Sequence, residues 1–284
     1  MNTILDFIGN TPLIQIEENI FAKIEGFNPG GSIKDRIALN MIIGAEKKGI
    51  LKKGDTIVEL TSGNTGVALA MVGAMKGYKV KLLMPQTTSP EKIKMVKAFG
   101  GEVILIENIK FRKDVINDIK ERIKQGEKIV FLNQYENFMN PQAHYKVTAQ
   151  EILKQMKGKR IDFFVAGMGT GGTITGIGKK LKQKYPNLKI IGVQPVLGET
   201  IEGLRSLKEG FVPPILDLEL VDEIYDLESI KAEKTRKELA LNKGLLVGPS
   251  SGAAFYISRE IKRNNPKANI ITIFPDRGER YLYY

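Results

Sequence analysis

The chain has 284 residues, enough for one large α/β domain or two closely packed ones, and its 42% hydrophobic and 26% charged content is that of an ordinary soluble globular protein. The absence of cysteine excludes disulfides, thiolate zinc sites and cysteine nucleophiles, and the single histidine, His144, excludes a paired-histidine helix site, so no metal site is expected. The net charge of +11 is spread along helix faces rather than gathered into a basic stripe with stacking aromatics. No nucleic-acid partner is therefore expected, whereas small anionic substrates suit the sign.

The N-terminus lacks the basic start and apolar block of a secretion signal, so a cytoplasmic home is expected. Residues 12–25 alternate apolar and polar in two short runs that read as strands, the second over 21–25. The loop Asn28-Pro29-Gly30-Gly31-Ser32 then places Lys34 at a helix start. Ser32 and Asp35 read as a capping box, Ile33, Ile37 and Met41 recur at helical spacing, and Gly49 closes the helix. Residues 56–60 read as a strand, 61–66 as a loop and 67–76 as a helix ended by Gly77. The apolar run over 67–75 is far too short to span a membrane, so no membrane partner is expected. A strand over 80–84 precedes a helix with Pro90 at its first position, ended by Gly100-Gly101, and strands over 103–106 and 129–132 flank a polar helix. Asn140-Pro141 starts a helix to about residue 157; a strand over 163–166, a dense glycine loop, a helix to 184 and a strand over 189–193 follow. Residues 196–228 read as irregular, 229–242 and 250–262 as helices, and 270–274 as the last strand. This alternation predicts parallel sheets covered on both faces, and the break near residue 140 predicts two such units.

Lys34 sits at the positive end of a helix dipole, which disfavours a protonated ammonium and suits an amine that attacks a carbonyl; the plainer alternative is a surface lysine. Gly167-Met168-Gly169-Thr170-Gly171-Gly172-Thr173 follows a strand and opens a helix, as a phosphate cradle does. The same glycines satisfy a dinucleotide fingerprint, but the next strand ends in Gln194-Pro195 instead of the acidic residue such a fold needs; a purely structural tight turn is the third reading. Thr61-Ser62-Gly63-Asn64-Thr65-Gly66 offers hydroxyls, amides and a carboxamide for a carboxylate or phenolic oxygen, or is a polar helix cap. Gly248-Pro249-Ser250-Ser251-Gly252 matches a nucleophile elbow, yet its histidine should follow the serine and His144 precedes it; a helix cap is the alternative for Ser250. For His144 a packing or surface role is expected. One amine and two anion sites on loops at strand ends fit pyridoxal phosphate chemistry.

Ile8-Gly9-Asn10-Thr11-Pro12-Leu13, Asn28-Pro29 with Ser32, Lys34, Asp35 and Arg36, the 61–66 loop, Gly169 to Thr173 and Gly278-Glu279-Arg280-Tyr281-Leu282 together resemble cysteine synthase (O-acetylserine sulfhydrylase), of the fold-type II pyridoxal-phosphate enzymes, from residue 4 onward. Lys81-Leu82-Leu83-Met84-Pro85, Gly203-Leu204-Arg205 and Asp276-Arg277-Gly278 are more similar to the B-type enzyme than to the A-type. The resemblance implies two doubly wound α/β domains with mostly parallel twisted sheets, tryptophan-synthase-β-like. Residues 1–34 plus 140–284 would form the larger, phosphate-binding domain and 35–139 a smaller mobile one. It implies that Lys34 forms the internal aldimine with pyridoxal 5'-phosphate and abstracts the Cα proton. Asn64 would meet the ring oxygen, Gly169, Thr170, Gly171, Gly172 and Thr173 the phosphate, and Ser250 the pyridine nitrogen. Thr61, Ser62, Gly63, Thr65 and Gln134 would hold the substrate carboxylate, with Arg205 a further substrate contact. The implied reaction is β-replacement through an aminoacrylate, making L-cysteine or an S-substituted cysteine from O-acetyl-L-serine and sulfide or thiosulfate, in a homodimer. The B-type pattern has a second arginine where this chain has Ser206, and Pro249 stiffens the loop before Ser250. Cystathionine β-synthase, a serine/threonine dehydratase and a catalytically idle binding protein share these loops.

Overall fold

The computed structural model describes residues 2–107 and 112–282. Its strands form two sheets. The larger runs in the order β1 (Leu13–Glu17), β2 (Ile20–Ile24), β10 (Ile270–Phe274), β7 (Phe163–Gly167), β8 (Lys189–Pro195) and β9 (Glu223–Leu227). The smaller runs β5 (Glu102–Ile106), β4 (Lys79–Pro85), β3 (Thr56–Leu60) and β6 (Ile129–Phe131). All neighbours are parallel except the β1–β2 hairpin.

Side chains alternate across each strand, and each sheet is apolar on both faces. In β10, Ile270 and Phe274 join α8 (Ser229–Lys243) and α9 (Pro249–Asn264) in one core, while Ile271 and Ile273 join α6 (Ala149–Gln155) and α7 (Gly172–Lys184) in another. In the smaller sheet, Ile57, Leu82 and Val130 pack under α1 (Lys34–Lys47) and α2 (Asn64–Lys76). Val58, Leu83 and Ile129 pack under α4 (Arg112–Lys124). This is the doubly wound α/β architecture that the strand–helix alternation predicts. Of the described residues, no helix is long and apolar enough to cross a membrane.

Several local readings need correction. Residues 196–228 contain a strand, β9. It is an edge strand with Ile224 exposed and acids at 223 and 226, so its sequence lacks a buried apolar face. The helix expected from residue 140 is three pieces: α5 (Met139–Ala143), a π-helical turn (His144–Thr148) and α6. The strand read over 21–25 ends at Ile24, and Glu25 opens a 3₁₀ turn. The helix read from residue 67 begins at Asn64. The Ser32–Asp35 capping box does not form. Asp35 Oδ2 instead accepts from the Gly30 amide at 2.5 Å, and Ser32 Oγ accepts from the Lys34 amide at 3.2 Å.

The start of α1 is anchored by a buried group of charges. Arg36 donates to Glu25 (Nε–Oε2 2.6 Å) and to Glu151 (Nη2–Oε2 2.7 Å), and Lys23 Nζ reaches Glu151 at 2.7 Å and the Thr11 carbonyl at 2.6 Å. Burial pushes the Glu151 carboxyl up, but the hydrogen bonds and charges of Arg36 and Lys23 outweigh it and hold the pKa at about 2. Because that value lies below the ordinary 4.5, the stabilisation is complete above pH 4.5 and is lost as pH falls towards 2. Glu151→Gln leaves two cations short of a partner. It should lower unfolding free energy in urea by about 3 kcal/mol at neutral pH and flatten the acid-induced loss; an unchanged urea midpoint would contradict this assignment.

Candidate active site

The loops after β2, β3, β6, β7, β8 and β10 all lie at strand carboxyl ends, where parallel sheets gather their ligand sites. Lys34 opens α1 after the β2 loop. That loop is shaped by Gly30, whose Cβ would collide with Asp35, and by Gly31, which has φ +79° and lies against the Arg280 guanidinium. The segment after β10 closes over it: Ile33 N–H donates to the Pro275 carbonyl at 2.8 Å, Ser32 forms a bridge with Asp276, and Arg280 Nη2 donates to the Gly30 carbonyl at 3.0 Å. Lys34 is half-buried. Desolvation of its amine, opposed by the charge of Asp276, lowers its pKa from 10.5 to about 8. This setting is not that of a fully exposed surface lysine.

After β3, Thr61 Oγ1 accepts from the Gly63 amide at 3.2 Å, and Thr65 donates to Gln134 Oε1 at 2.6 Å. Gln134 Nε2 donates in turn to the Leu60 carbonyl at 3.4 Å, so the 61–65 loop and the segment after β6 form one surface. A Cβ on Gly63 would meet open space, and Ser62 is exposed. The Asn64 carboxamide donates to Asp276 Oδ2 at 2.5 Å and accepts from Arg280 Nη1 at 2.6 Å.

After β7, Gly171 (φ +84°) turns the chain into α7, whose first-turn amides have no intrahelical acceptor. A Cβ on Gly169 would stand 2.5 Å from the Gly203 carbonyl oxygen, and one on Gly172 would collide with Asn140 Oδ1. Thr170 Oγ1 accepts from Asn140 Nδ2 at 3.2 Å, and Thr173 Oγ1 lies 3.4 Å from His144 Nε2. His144 is fully buried in the π-helical turn, with Nδ1 3.1 Å from Thr148 Oγ1, so its role is packing and the surface alternative falls away. Burial, reinforced by the charges of Lys34 and Arg36, pushes its pKa well below the usual range, which keeps it neutral.

Ser250 is buried in the first turn of α9 but is not its cap; Gly248 holds that position. A Cβ on Gly203 would lie 3.5 Å from Ser250 Oγ, and the Arg205 amide donates to the Met168 carbonyl at 2.8 Å. The segment after β8 thus lies between Ser250 and the glycine loop. The Arg205 guanidinium turns to Glu209 at 3.5 Å and lies over the Phe211 ring. Gln194 is engaged by Asp226 and the Leu207 amide, and His144 is partnered by Thr148 and Thr173. The end of β8 itself thus carries an amide, with the nearby Asp226 carboxylate engaged by it, and among the described residues the partners of His144 are threonines, not a serine. Sequence reasoning assigned no role to Asp276, Arg280 and Tyr281, although the Gly278–Leu282 motif was a signal that the segment mattered. Lys92, in the first turn of α3 (Pro90–Ala98), pairs with Glu202 at 2.9 Å and lies over the Tyr281 ring.

A profile of the pyridoxal-phosphate dependent enzyme family matches residues 4–276, and the chain belongs to that family. It is 43% identical over 292 residues to cysteine synthase B of Salmonella typhimurium, across 99% of this chain and 95% of that protein. It is 44% identical over 296 residues to cysteine synthase of Aquifex aeolicus, across 99% of this chain and 90% of that protein. Among solved structures, a hydrogen sulfide-producing enzyme from Fusobacterium nucleatum superposes with a TM-score of 0.92 at 41% identity, covering 99% of this chain and all of that one. O-ureido-L-serine synthase superposes with a TM-score of 0.92 at 37% identity, over 100% and 94%. The protein is therefore a pyridoxal-phosphate-dependent enzyme.

The residues present suit that cofactor: a desolvated lysine, a helix start whose first-turn amides lack intrahelical acceptors, and a glycine loop into which side chains cannot grow. Attack on the cofactor's aldehyde needs the neutral amine. Visible absorption should therefore develop in the apoprotein at a rate that rises about tenfold per pH unit below pH 8 and levels above it. A rate still rising to the ordinary lysine value of 10.5 would contradict the desolvated setting.

Proposed function

We propose that the protein makes L-cysteine, or an S-substituted cysteine, by β-replacement on O-acetyl-L-serine. The observation that carries this is a desolvated lysine whose loop is joined through Arg280 to the carboxamide loop. Pyridoxal phosphate, when bound, supplies an electron-withdrawing ring that eases loss of the Cα proton and of the group on Cβ. Lys34 holds the cofactor and then, released as an amine, takes the Cα proton at Nζ. Asn64 donates to the ring oxygen, and Gly169, Thr170, Gly171, Gly172 and Thr173 hold the phosphate. Thr61, Ser62, Gly63, Thr65 and Gln134 orient the substrate carboxylate; the Thr65–Gln134 hydrogen bond supports their acting together. Ser250 meets the pyridine nitrogen with a neutral hydroxyl, which draws less charge into the ring than a carboxylate partner does and favours β-elimination over transamination.

Sulfide is favoured over thiosulfate as donor. Arg205, the candidate anion contact, is engaged by Glu209 and Phe211, and the next position is the fully buried Ser206. In this reading residues 35–139 form the smaller, mobile unit, and 1–34 with 140–284 the larger. The enzyme works as a cytoplasmic homodimer; exposed Phe7 and Phe27 supply apolar surface for a second copy.

Addition of O-acetyl-L-serine to the loaded enzyme should shift its visible band, and sulfide should restore it with release of cysteine. Cysteine formation should fall by about a thousandfold or more in Lys34→Ala, and sulfide should exceed thiosulfate about tenfold in kcat/KM. A spectrum indifferent to O-acetyl-L-serine would favour the idle binding protein. Wild-type turnover by Lys34→Ala would exclude the lysine's role.

A further inference from the structure

The Asn64 carboxamide is gripped at both ends by groups that leave it one orientation. Arg280 Nη1 lies 2.6 Å from Oδ1, and a guanidinium only donates and does not titrate, so the amide oxygen must be the atom facing it. Asp276 Oδ2 accepts from Nδ2 at 2.5 Å and also from the Tyr281 hydroxyl. Nδ2 also lies 3.5 Å from the Tyr281 hydroxyl, at the outer limit of a hydrogen bond, so the second N–H is held only weakly. Arg280 is itself buried, and its other nitrogen donates to the Gly30 carbonyl at 3.0 Å, in the loop that delivers Lys34. Asp276 is fixed by its bridge to Ser32 and by contact with Gly248, where a Cβ would collide with it. One arginine, 216 positions from Asn64 and 250 from Gly30, therefore joins the lysine loop to the carboxamide loop.

We propose that Arg280 is a positioning residue that acts through Asn64, holding the carboxamide so that its NH2 end, and not its carbonyl, faces the cofactor's ring oxygen. This rests on the reading that Asn64 meets that oxygen. An N–H stabilises the anionic form of the oxygen, whereas a flipped amide would set a carbonyl dipole against it. Asp276 contributes by occupying one N–H firmly, so that the ligand has only the long Tyr281 contact to displace from the other.

The test is the absorption spectrum of the pyridoxal-phosphate-loaded protein, titrated with pH, in the wild type, Asn64→Ala, Arg280→Met and the double variant. Asn64→Ala should lower the ratio of visible to near-ultraviolet absorbance about tenfold, and Arg280→Met by a similar factor. In the double variant Arg280→Met should add nothing further. An unchanged ratio in Arg280→Met, or an effect of equal size with and without Asn64, would overturn the positioning role. An unchanged ratio in Asn64→Ala would instead remove the underlying contact between Asn64 and the cofactor, and the positioning role with it. Should Arg280→Met not fold, Arg280→Lys takes its place, since an ammonium lacks the planar fork shared between Asn64 and Gly30. A fall of about threefold is then expected with Asn64 present and none in its absence; an unchanged spectrum with Asn64 present would overturn the role.

Discussion

The constraint on which the site depends is the clamping of Arg36 between Glu25 and Glu151. Arg36 lies two residues beyond Lys34, in the first turn of α1, and its partners come from the 3₁₀ turn just after β2 and from α6. A group of two cations and two carboxylates taken out of water yields little net stability over apolar packing, but it tolerates little displacement once formed. Its effect is geometric. The first turn of α1 cannot rotate or slide without leaving a buried charge unpaired, and the Lys34 amine is set by that turn.

A second layer of fixation comes from the far end of the chain. The segment after β10 bridges Ser32, holds the Ile33 amide and reaches through Arg280 to Gly30 and Asn64. Asp276, fully buried, has its carboxyl pushed upward by desolvation, against the hydrogen bond from Tyr281 and the charge of Arg280. It opposes the desolvation of Lys34 without cancelling it, so the amine retains a lowered pKa. The same burial that lowers the pKa of the amine also fixes its surroundings. The glycine loop follows a different logic: backbone from residues 203–205 and the Asn140 side chain press against Gly169 and Gly172, and only bare backbone fits there.

Much of this was legible in the sequence because it is local. Strand–glycine–helix order announces loops at strand carboxyl ends, and the alternation in β7 and β10 announces sheets buried on both faces. Lys34, the 61–66 loop and the 167–173 loop carry their signals within a few residues. What was hidden depends on distant partners. Asp35 looked like half of a capping box because nothing local reveals that Gly30 claims its carboxylate. The π-helical turn at His144 answers to the close packing of α7, where a Cβ on Gly176 would collide with the Pro141 carbonyl. β9 hid as an edge strand with one wet face. The roles of Asp276 and Arg280 appear only when residues more than two hundred positions apart meet.

The measurement that bears most directly on the central claim is the site of covalent attachment. Borohydride reduction of the pyridoxal-phosphate-loaded protein fixes the lysine–cofactor bond as a stable amine, and peptide mass mapping then locates it. The account predicts one pyridoxyl group on Lys34 and none elsewhere among the chain's lysines. Attachment to another lysine, or loading with no reducible bond, would contradict it.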